Sequence, residues 1–208
     1  MAKNDQLEAK ILQTAEELFM EKGYDATSTT DIARKVGCNQ ALVHYYYRTK
    51  ENLFFQIFSQ KFTLLMSHIQ LDAPHVDSLE LVIYRLIDFY FHLLTKNRRL
   101  PYFMINELIM NPERRKMLYD FLHKHADRNS YFEMLDTLVK TEVRKGNIRP
   151  IDTVMLIIDV VSLIFFTFIS LPLYSDFFHQ DEDGVQLYLQ QRKEEIKKLI
   201  MNGVFLKN

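Results

Sequence analysis

The side chains best suited to chemistry lie within residues 32–50, where their types favour contact with nucleic acid. Four cations occur in this stretch without an acidic residue: Arg34, Lys35, Arg48 and Lys50. Residues 1–62 as a whole balance eight Lys and Arg against eight Asp and Glu, so the positive charge is local, as a footprint on phosphates would be. Charge alone fits an ordinary solvated face equally well, and the whole chain carries a formal net charge of −1.

Two short helices must position these cations, and the sequence places a turn between them at residues 36–39. Ser28, with Asp31 three residues later, is typical of a helix start, and Asn39 caps a further helix that runs through about Tyr46. Gly37 supplies the positive φ that a tight turn between helices requires. Two helices joined in this way predict a helix-turn-helix, whose second helix enters the major groove of DNA.

The same region carries a specific series of motifs: Phe19…Gly23-Tyr24, Thr27-Ser28, Asp31-Ile32-Ala33, Gly37-Cys38-Asn39, Tyr46-Tyr47 and Thr49-Lys50-Glu51-Asn52-Leu53. With these motifs it resembles the DNA-binding domain of the TetR/AcrR family of transcriptional regulators. The rest of the chain is similar to that family only in its layout of helices. The resemblance implies an all-α protein with an N-terminal three-helix helix-turn-helix head and a C-terminal helical bundle for ligand binding and dimerisation.

The resemblance also implies a role in DNA binding for the residues at matching positions: Ser28, Thr30, Asn39, Gln40, Ala41, His44, Tyr45, Tyr46 and Lys50. Ser28 would face a phosphate through its hydroxyl and amide, and Tyr46 and Lys50 would clamp phosphates. Gln40 is the best base reader, since an amide can pair bidentately with adenine. His44 departs from the tyrosine most common in the family, and an imidazole there would make the contact sensitive to pH.

Enzymatic and cofactor chemistry finds little support in the sequence. Cys38 is the only cysteine, which excludes an intrachain disulfide and a multi-cysteine zinc site, and a small buried hydrophobe fits this position better than a redox sensor. The five glycines form no phosphate-binding loop, and the seven histidines form no metal-binding or hydrolase motif. We therefore expect neither an enzyme nor a bound cofactor or metal.

Helical periodicity continues through the rest of the chain, and no strand alternation of useful length interrupts it. The pattern predicts about nine helices in all. Later helices cover the approximate ranges 77–96, 99–110, 152–175 and 185–205, and more than one further helix spans about 112–145. A change from short to long helices divides the chain into a DNA-binding domain, 1–67, and a ligand-binding and dimerisation domain, 68–208.

Aromatic and methionine side chains recur on the middle helices, where the resemblance implies a ligand pocket. A plain hydrophobic core explains each of them individually at least as well. Candidate ligand contacts are Phe89, His92, Phe103, Met104, Glu107, Asp159 and Phe166. Glu107 and Asp159 would suit a cationic ligand, an inference that fails if both instead meet a buried base or face water.

The last two helices, about 152–175 and 185–205, are the expected homodimer interface. The first of them is too apolar to face water alone, and the second is amphipathic. In the family resembled here, such helices pair around a two-fold axis and present two recognition helices to a pseudo-palindromic operator in double-stranded DNA. The alternative is that both helices only complete the core of one protomer.

Residues 154–174 are long enough to cross a bilayer, yet they contain Asp159 and several hydroxyl side chains. Because the polar residues share one side and a charge near mid-membrane is costly, a helix packed among other helices is favoured. Residues 1–10 lack the apolar segment of a secretory signal. We expect a cytoplasmic protein without a membrane partner.

These observations predict a homodimeric, sequence-specific transcriptional regulator, a repressor released from its operator by a small hydrophobic or amphipathic effector. Two alternatives stay open. One is an activator, or a DNA-binding protein that has no small-molecule inducer. The other is a helical-bundle binding protein for a hydrophobic ligand, in which the head is incidental.

Overall fold

A computed structural model describes residues 2–66, 78–124 and 129–206. These residues contain eleven α-helices: α1 Ala2–Lys22, α2 Thr29–Val36, α3 Gln40–Tyr47, α4 Lys50–Met66, α5 Leu79–Lys96, α6 Leu100–Ile109, α7 Pro112–Lys124, α8 Asn129–Arg144, α9 Thr153–Ile169, α10 Leu171–Phe177 and α11 Glu182–Val204. Over the same residues no strand forms, and one isolated bridge joins Ile148 to Phe205. The predicted all-α class is confirmed.

The chain packs into two compact units. The first comprises Met1–Leu64 with Tyr102–Asp120, and the second comprises Leu65–Pro101 with Phe121–Asn208. Much of α6 and α7 therefore belongs to the same unit as the N-terminal helices, although the sequence assigned both to the C-terminal domain. The functional boundary after residue 67 stays a prediction.

The starts and stops of α2 and α3 follow from local chemistry. The Ser28 hydroxyl accepts a hydrogen bond from the Asp31 amide at 3.0 Å, and the Asp31 carboxylate accepts one from the Ser28 amide. Gly37 ends α2 at φ +81°, and the Asn39 side chain accepts from the Ala41 amide at 2.9 Å to begin α3. The predicted caps are confirmed because each depends only on residues within one turn of the chain.

A buried aromatic and aliphatic core holds the helix-turn-helix in the first unit. Ile11, Ile32 and Leu53 are fully buried, and the Phe19 ring lies edge-on to Phe54 with centroids 5.3 Å apart. The Thr27 hydroxyl donates to the Gly23 carbonyl at 2.9 Å and lies 3.2 Å from the Leu18 carbonyl oxygen, which fixes the chain where it enters α2. Val43 and Tyr47 of α3 are buried as well, while Gln40 and His44 on that helix are exposed.

In the second unit, α5, α8 and α11 pack around α9. The predicted single helix over 152–175 is wrong in one respect, since Ser170 separates α9 from α10 with a bend of 47°. Pro172 is the cause, because it has no amide hydrogen to donate to the carbonyl four residues earlier. With α10 as a separate helix, the described residues contain eleven helices, whereas the sequence predicts about nine.

Not one of the described helices is, by itself, long and apolar enough to cross a bilayer. Only α9 and α10 taken together across their bend reach that length and composition.

Candidate nucleic-acid interface

Helix α3 is anchored by one side and exposed on the other. Val43 and Tyr47 are buried, and the Tyr47 hydroxyl donates to the Glu8 carbonyl at 3.0 Å. The opposite side carries exposed residues, including four of the predicted DNA contacts: Gln40, Ala41, His44 and Tyr45. Tyr45 is 74% exposed, which is far more than an aromatic side chain with only a packing role requires.

The exposed polar side chains of α3 form a hydrogen-bonded chain. The Gln40 amide nitrogen donates to the Thr29 hydroxyl at 2.9 Å and lies 3.3 Å from His44 Nε2. His44 Nδ1 lies 3.0 Å from the carbonyl oxygen of Arg48, which has a positive φ of +61°. The two residues with the best hydrogen-bonding capacity for bases are therefore held together before any DNA arrives.

At the start of α2, the donors expected to meet a phosphate are already occupied. The Ser28 hydroxyl donates to the Asp31 carboxylate at 2.6 Å, and the Ser28 amide donates to the same oxygen at 3.3 Å. The other oxygen of Asp31 pairs with Arg34. The Ser28 hydrogen bonds hold the pKa of Asp31 below its usual value, so this carboxylate stays charged. Thr30 is exposed beside it.

Lys50, the expected phosphate clamp, is held on an aromatic ring. Its Nζ lies 4.0 Å from the centroid of the Tyr24 ring, a cation–π distance. Partial burial lowers the pKa of Lys50, and the neighbouring Arg114 lowers it further, while Asp25 opposes both effects. Tyr46, the other expected clamp, is half-buried, with its ring 5.2 Å from that of Tyr45.

Arg114 occupies the same aromatic cluster, a role that its sequence context does not reveal. Its guanidinium carbon lies 4.1 Å from the Tyr24 centroid and 4.8 Å from that of Phe54. Arg114 also forms an ion pair with Glu107, whose side chain is fully buried, and lies 3.6 Å from Asp25. The separation of about 90 residues between Tyr24 and Arg114 leaves no pattern in the sequence that could reveal the contact.

The residues proposed for a ligand pocket are divided between the two compact units. Phe103, Met104 and Glu107 are buried in the first unit, where the Phe103 ring lies 5.8 Å from that of Phe54. Phe89, His92, Asp159 and Phe166 belong to the second unit, and the last three of these are exposed. Glu107 pairs with Arg114, and Asp159 faces water. The inference of a cationic ligand required that neither carboxylate be in such a position, so it no longer holds.

The second unit carries an open groove of about 470 Å³ between α5 and α11, which includes one predicted ligand contact, His92. Phe91 and Leu189 contribute buried apolar surface to it, and the remaining lining is mostly polar or charged. On one side of the groove, Asp88 accepts from Lys197 at 2.7 Å and lies 3.3 Å from Lys193.

Large apolar side chains are exposed on the C-terminal helices of the second unit. On α9 they include Met155, Ile158 and Phe166, and the last is 67% exposed. Others lie on α10 and α11: Leu173, Phe177, Leu187 and Leu199. Exposed apolar side chains grouped in this way are typical of protein–protein interfaces rather than of a free surface.

The N-terminal part of the chain is similar in sequence to known regulatory proteins. Residues 11–57 match the family model described as bacterial regulatory proteins, tetR family. The HTH-type transcriptional regulator QacR of Staphylococcus aureus is 43% identical over 51 residues, which are 24% of this chain and 27% of QacR. The match therefore spans about a quarter of that relative's length.

Solved structures extend the likeness in fold to nearly the whole chain. The ketosteroid transcriptional regulator KstR2 of Mycobacterium tuberculosis superposes with a TM-score of 0.69 at 16% identity, over 96% of this chain and 95% of its own. The transcriptional regulator FadR of Bacillus subtilis, in complex with stearoyl-CoA, gives 0.63 at 20% identity, over 94% and 98%. At these identities the likeness concerns the fold.

An all-α chain with a capped, partly exposed second helix after a tight turn is a helix-turn-helix protein. The motifs within residues 11–57 then define the group more narrowly. Over these residues the chain is similar to the TetR family of bacterial regulatory proteins.

Proposed function

We propose that this protein is a homodimeric, sequence-specific DNA-binding transcriptional regulator, and that it acts as a repressor. The observation that carries the proposal is α3, which is anchored by buried Val43 and Tyr47 and presents Gln40 and His44 outward. A helix-turn-helix places the outward side of such a helix in the major groove, where Gln40 would meet a base edge. Under this proposal residues 1–67 are the DNA-binding domain and residues 68–208 serve ligand binding and dimerisation.

Dimerisation is supported by the exposed apolar side chains of α9 and α11. Met155, Ile158 and Leu199 are about half exposed in one protomer, and their burial against a second copy would remove that apolar area from water. Two protomers related by a two-fold axis would read two half-sites, so the operator is expected to be a pseudo-palindrome.

Release by a small effector is the proposed regulation. FadR of Bacillus subtilis binds stearoyl-CoA, and QacR, named as a transcriptional regulator, shares the head of this chain. By linkage, an effector that lowers operator affinity is itself bound more weakly by the operator complex, and by the same factor. Phe89, His92, Asp159 and Phe166, which all belong to the second unit, remain candidate contacts.

Selection of bound sites from a random DNA pool, followed by sequencing, tests the DNA-binding proposal. A two-fold-symmetric motif is expected from the intact dimer. Gln40→Ala should relax the preference at one or two base pairs of that motif without abolishing binding. A folded dimer that enriches no motif at low salt would instead favour a helical-bundle binding protein for a hydrophobic ligand.

The effector proposal needs a separate experiment on the selected operator. Stearoyl-CoA is the first probe, and its addition is expected to weaken operator binding in a fluorescence anisotropy titration. A protein that binds this probe yet keeps its operator affinity would contradict release by that ligand class. Regulation by a partner protein, or activation without an inducer, would then become the better account.

A further inference from the structure

We propose that His44 determines base preference through Gln40 rather than by touching DNA itself. A backbone carbonyl fixes the imidazole tautomer, and the imidazole in turn fixes which end of the Gln40 amide faces outward. This inference rests on the proposed DNA-binding function and assigns the specificity at one position of the operator. His44 is therefore a positioning residue for Gln40.

The position of the proton on the His44 ring follows from the hydrogen-bond partner of Nδ1. Nδ1 lies 3.0 Å from the carbonyl oxygen of Arg48, and that oxygen can only accept a hydrogen bond. Nδ1 must therefore carry the proton. In the neutral ring the other nitrogen, Nε2, is then a bare acceptor.

The orientation of the Gln40 amide follows from the neighbours of its nitrogen. Its nitrogen lies 3.3 Å from His44 Nε2 and 2.9 Å from the Thr29 hydroxyl oxygen. Only the NH₂ end of an amide can face an acceptor nitrogen favourably, so the orientation of the amide is set by the ring. Both amide hydrogens are engaged within the protein, while the carbonyl oxygen has no partner among the described residues and is available to DNA.

The backbone of Arg48 helps to hold the His44 ring. Its φ of +61° is unusual for a residue other than glycine, and such conformations persist only where the surroundings hold them. Here the Arg48 amide donates to the His44 carbonyl at 2.8 Å, while the Arg48 carbonyl meets the His44 ring. These two contacts between Arg48 and His44 hold the imidazole ring in place.

The consequence for recognition follows from the groups on the base edges. Adenine and cytosine present an exocyclic amine to the major groove, whereas guanine and thymine present carbonyl oxygens at the equivalent place. With its own carbonyl outward, Gln40 prefers adenine or cytosine on the strand that it reads. Bidentate pairing with adenine would require one amide hydrogen to leave Thr29 or His44.

A double-mutant cycle tests this assignment. Gln40→Ala, His44→Ala and the double variant are titrated against four operators that differ at the base pair whose preference Gln40→Ala relaxes. Each single variant is expected to lose most of an about fivefold to tenfold discrimination. His44→Ala should cause no further loss in the Gln40→Ala background, whereas additive losses would show that His44 contacts DNA directly and would overturn the inference.

Two charge-bearing variants at the same position sharpen the test. His44→Glu supplies only acceptors and should keep the preference for adenine or cytosine, even though its charge weakens binding to all four operators. His44→Lys supplies only donors, so it should turn the amide and favour guanine or thymine. An unchanged preference in His44→Lys would overturn the inference.

Circular dichroism of each variant checks the fold, since residues 40 and 44 are exposed. Failure of the inference and failure of the proposed function remain distinguishable. A wild-type protein that selects no DNA motif overturns both, whereas a wild-type motif with additive variants overturns only the role of His44.

Discussion

The two sides of the candidate DNA surface are held in place by different physics. Gln40 and His44, on the base-reading side, are exposed and are fixed mainly by hydrogen bonds to each other and to Thr29 and Arg48. Lys50, on the phosphate side, rests on the Tyr24 ring, which also carries Arg114. The first arrangement lies at the surface, and the second is continuous with the hydrophobic core.

This difference separates specificity from affinity. Exposed hydrogen bonds contribute little to folding, so side chains on the reading side can be exchanged without unfolding the head. The phosphate side depends on a buried ion pair and stacked rings, so changes there affect both stability and binding to every DNA sequence. We expect base preference to be easily altered by mutation and backbone affinity to resist alteration.

The largest effect is expected where the phosphate side meets the core. Glu107→Ala leaves the guanidinium of Arg114, whose side chain is only 13% exposed, without its buried partner. Loss of one member of such a pair costs about 3–5 kcal/mol, measured as a lower midpoint of urea unfolding.

The matched control for Glu107→Ala removes both charges. The double variant Glu107→Leu with Arg114→Met should recover most of the lost stability, because well-packed apolar residues often replace a buried pair without cost. A loss below about 1 kcal/mol in the single variant would show that the pair is not a structural anchor.

The next effect concerns affinity without sequence preference. Lys50→Ala should weaken binding to specific and random DNA alike and should reduce the slope of log K against log salt concentration by about one. Anisotropy titrations at several salt concentrations measure both quantities. Lys61→Ala, another cation on α4, offers a control; its Nζ pairs with Glu16, and the slope should change little. A slope unchanged by Lys50→Ala would exclude a phosphate contact.

A smaller effect is expected from the ring beneath Lys50. Tyr24→Phe keeps an aromatic face and should preserve operator affinity, whereas Tyr24→Leu removes the cation–π contact and should weaken binding about twofold to fivefold for every sequence. Equal affinities of the two variants, with equal unfolding midpoints, would mean that the ring does not position the ammonium group.

The smallest effect on folding is expected on the reading side. Gln40→Ala should change the free energy of unfolding by less than about 0.5 kcal/mol, because its hydrogen bonds are exposed. Thermal unfolding followed by circular dichroism measures this change. A destabilisation comparable to that of Glu107→Ala would erase the proposed difference between the two sides.

The sequence predicted the local features of the head and missed those that depend on distant contacts. Caps at Ser28 and Asn39 and the stop at Gly37 could be predicted because each involves neighbours within one turn. Glu107 was interpreted as a ligand contact because its partner, Arg114, lies on a different helix. A carboxylate in an apolar stretch shows that a partner is required but does not identify it.

The C-terminal region shows the same limit. The apolar stretch after residue 152 predicted helix correctly, since its N-cap, Asp152, and its composition are local signals. The bend at Ser170 was missed even though Pro172 marks it, because a proline near the end of a helical pattern fits a helix end as well as a kink.

The capping box at Ser28 has a consequence for how a phosphate would arrive. In the free protein the Asp31 carboxylate already accepts hydrogen bonds from the hydroxyl and the amide of Ser28. Under the proposed contact, the DNA phosphate replaces one anion with another instead of filling bare donors. The displaced carboxylate can stay paired with Arg34 through its second oxygen, so the exchange requires only the rotation of one short side chain.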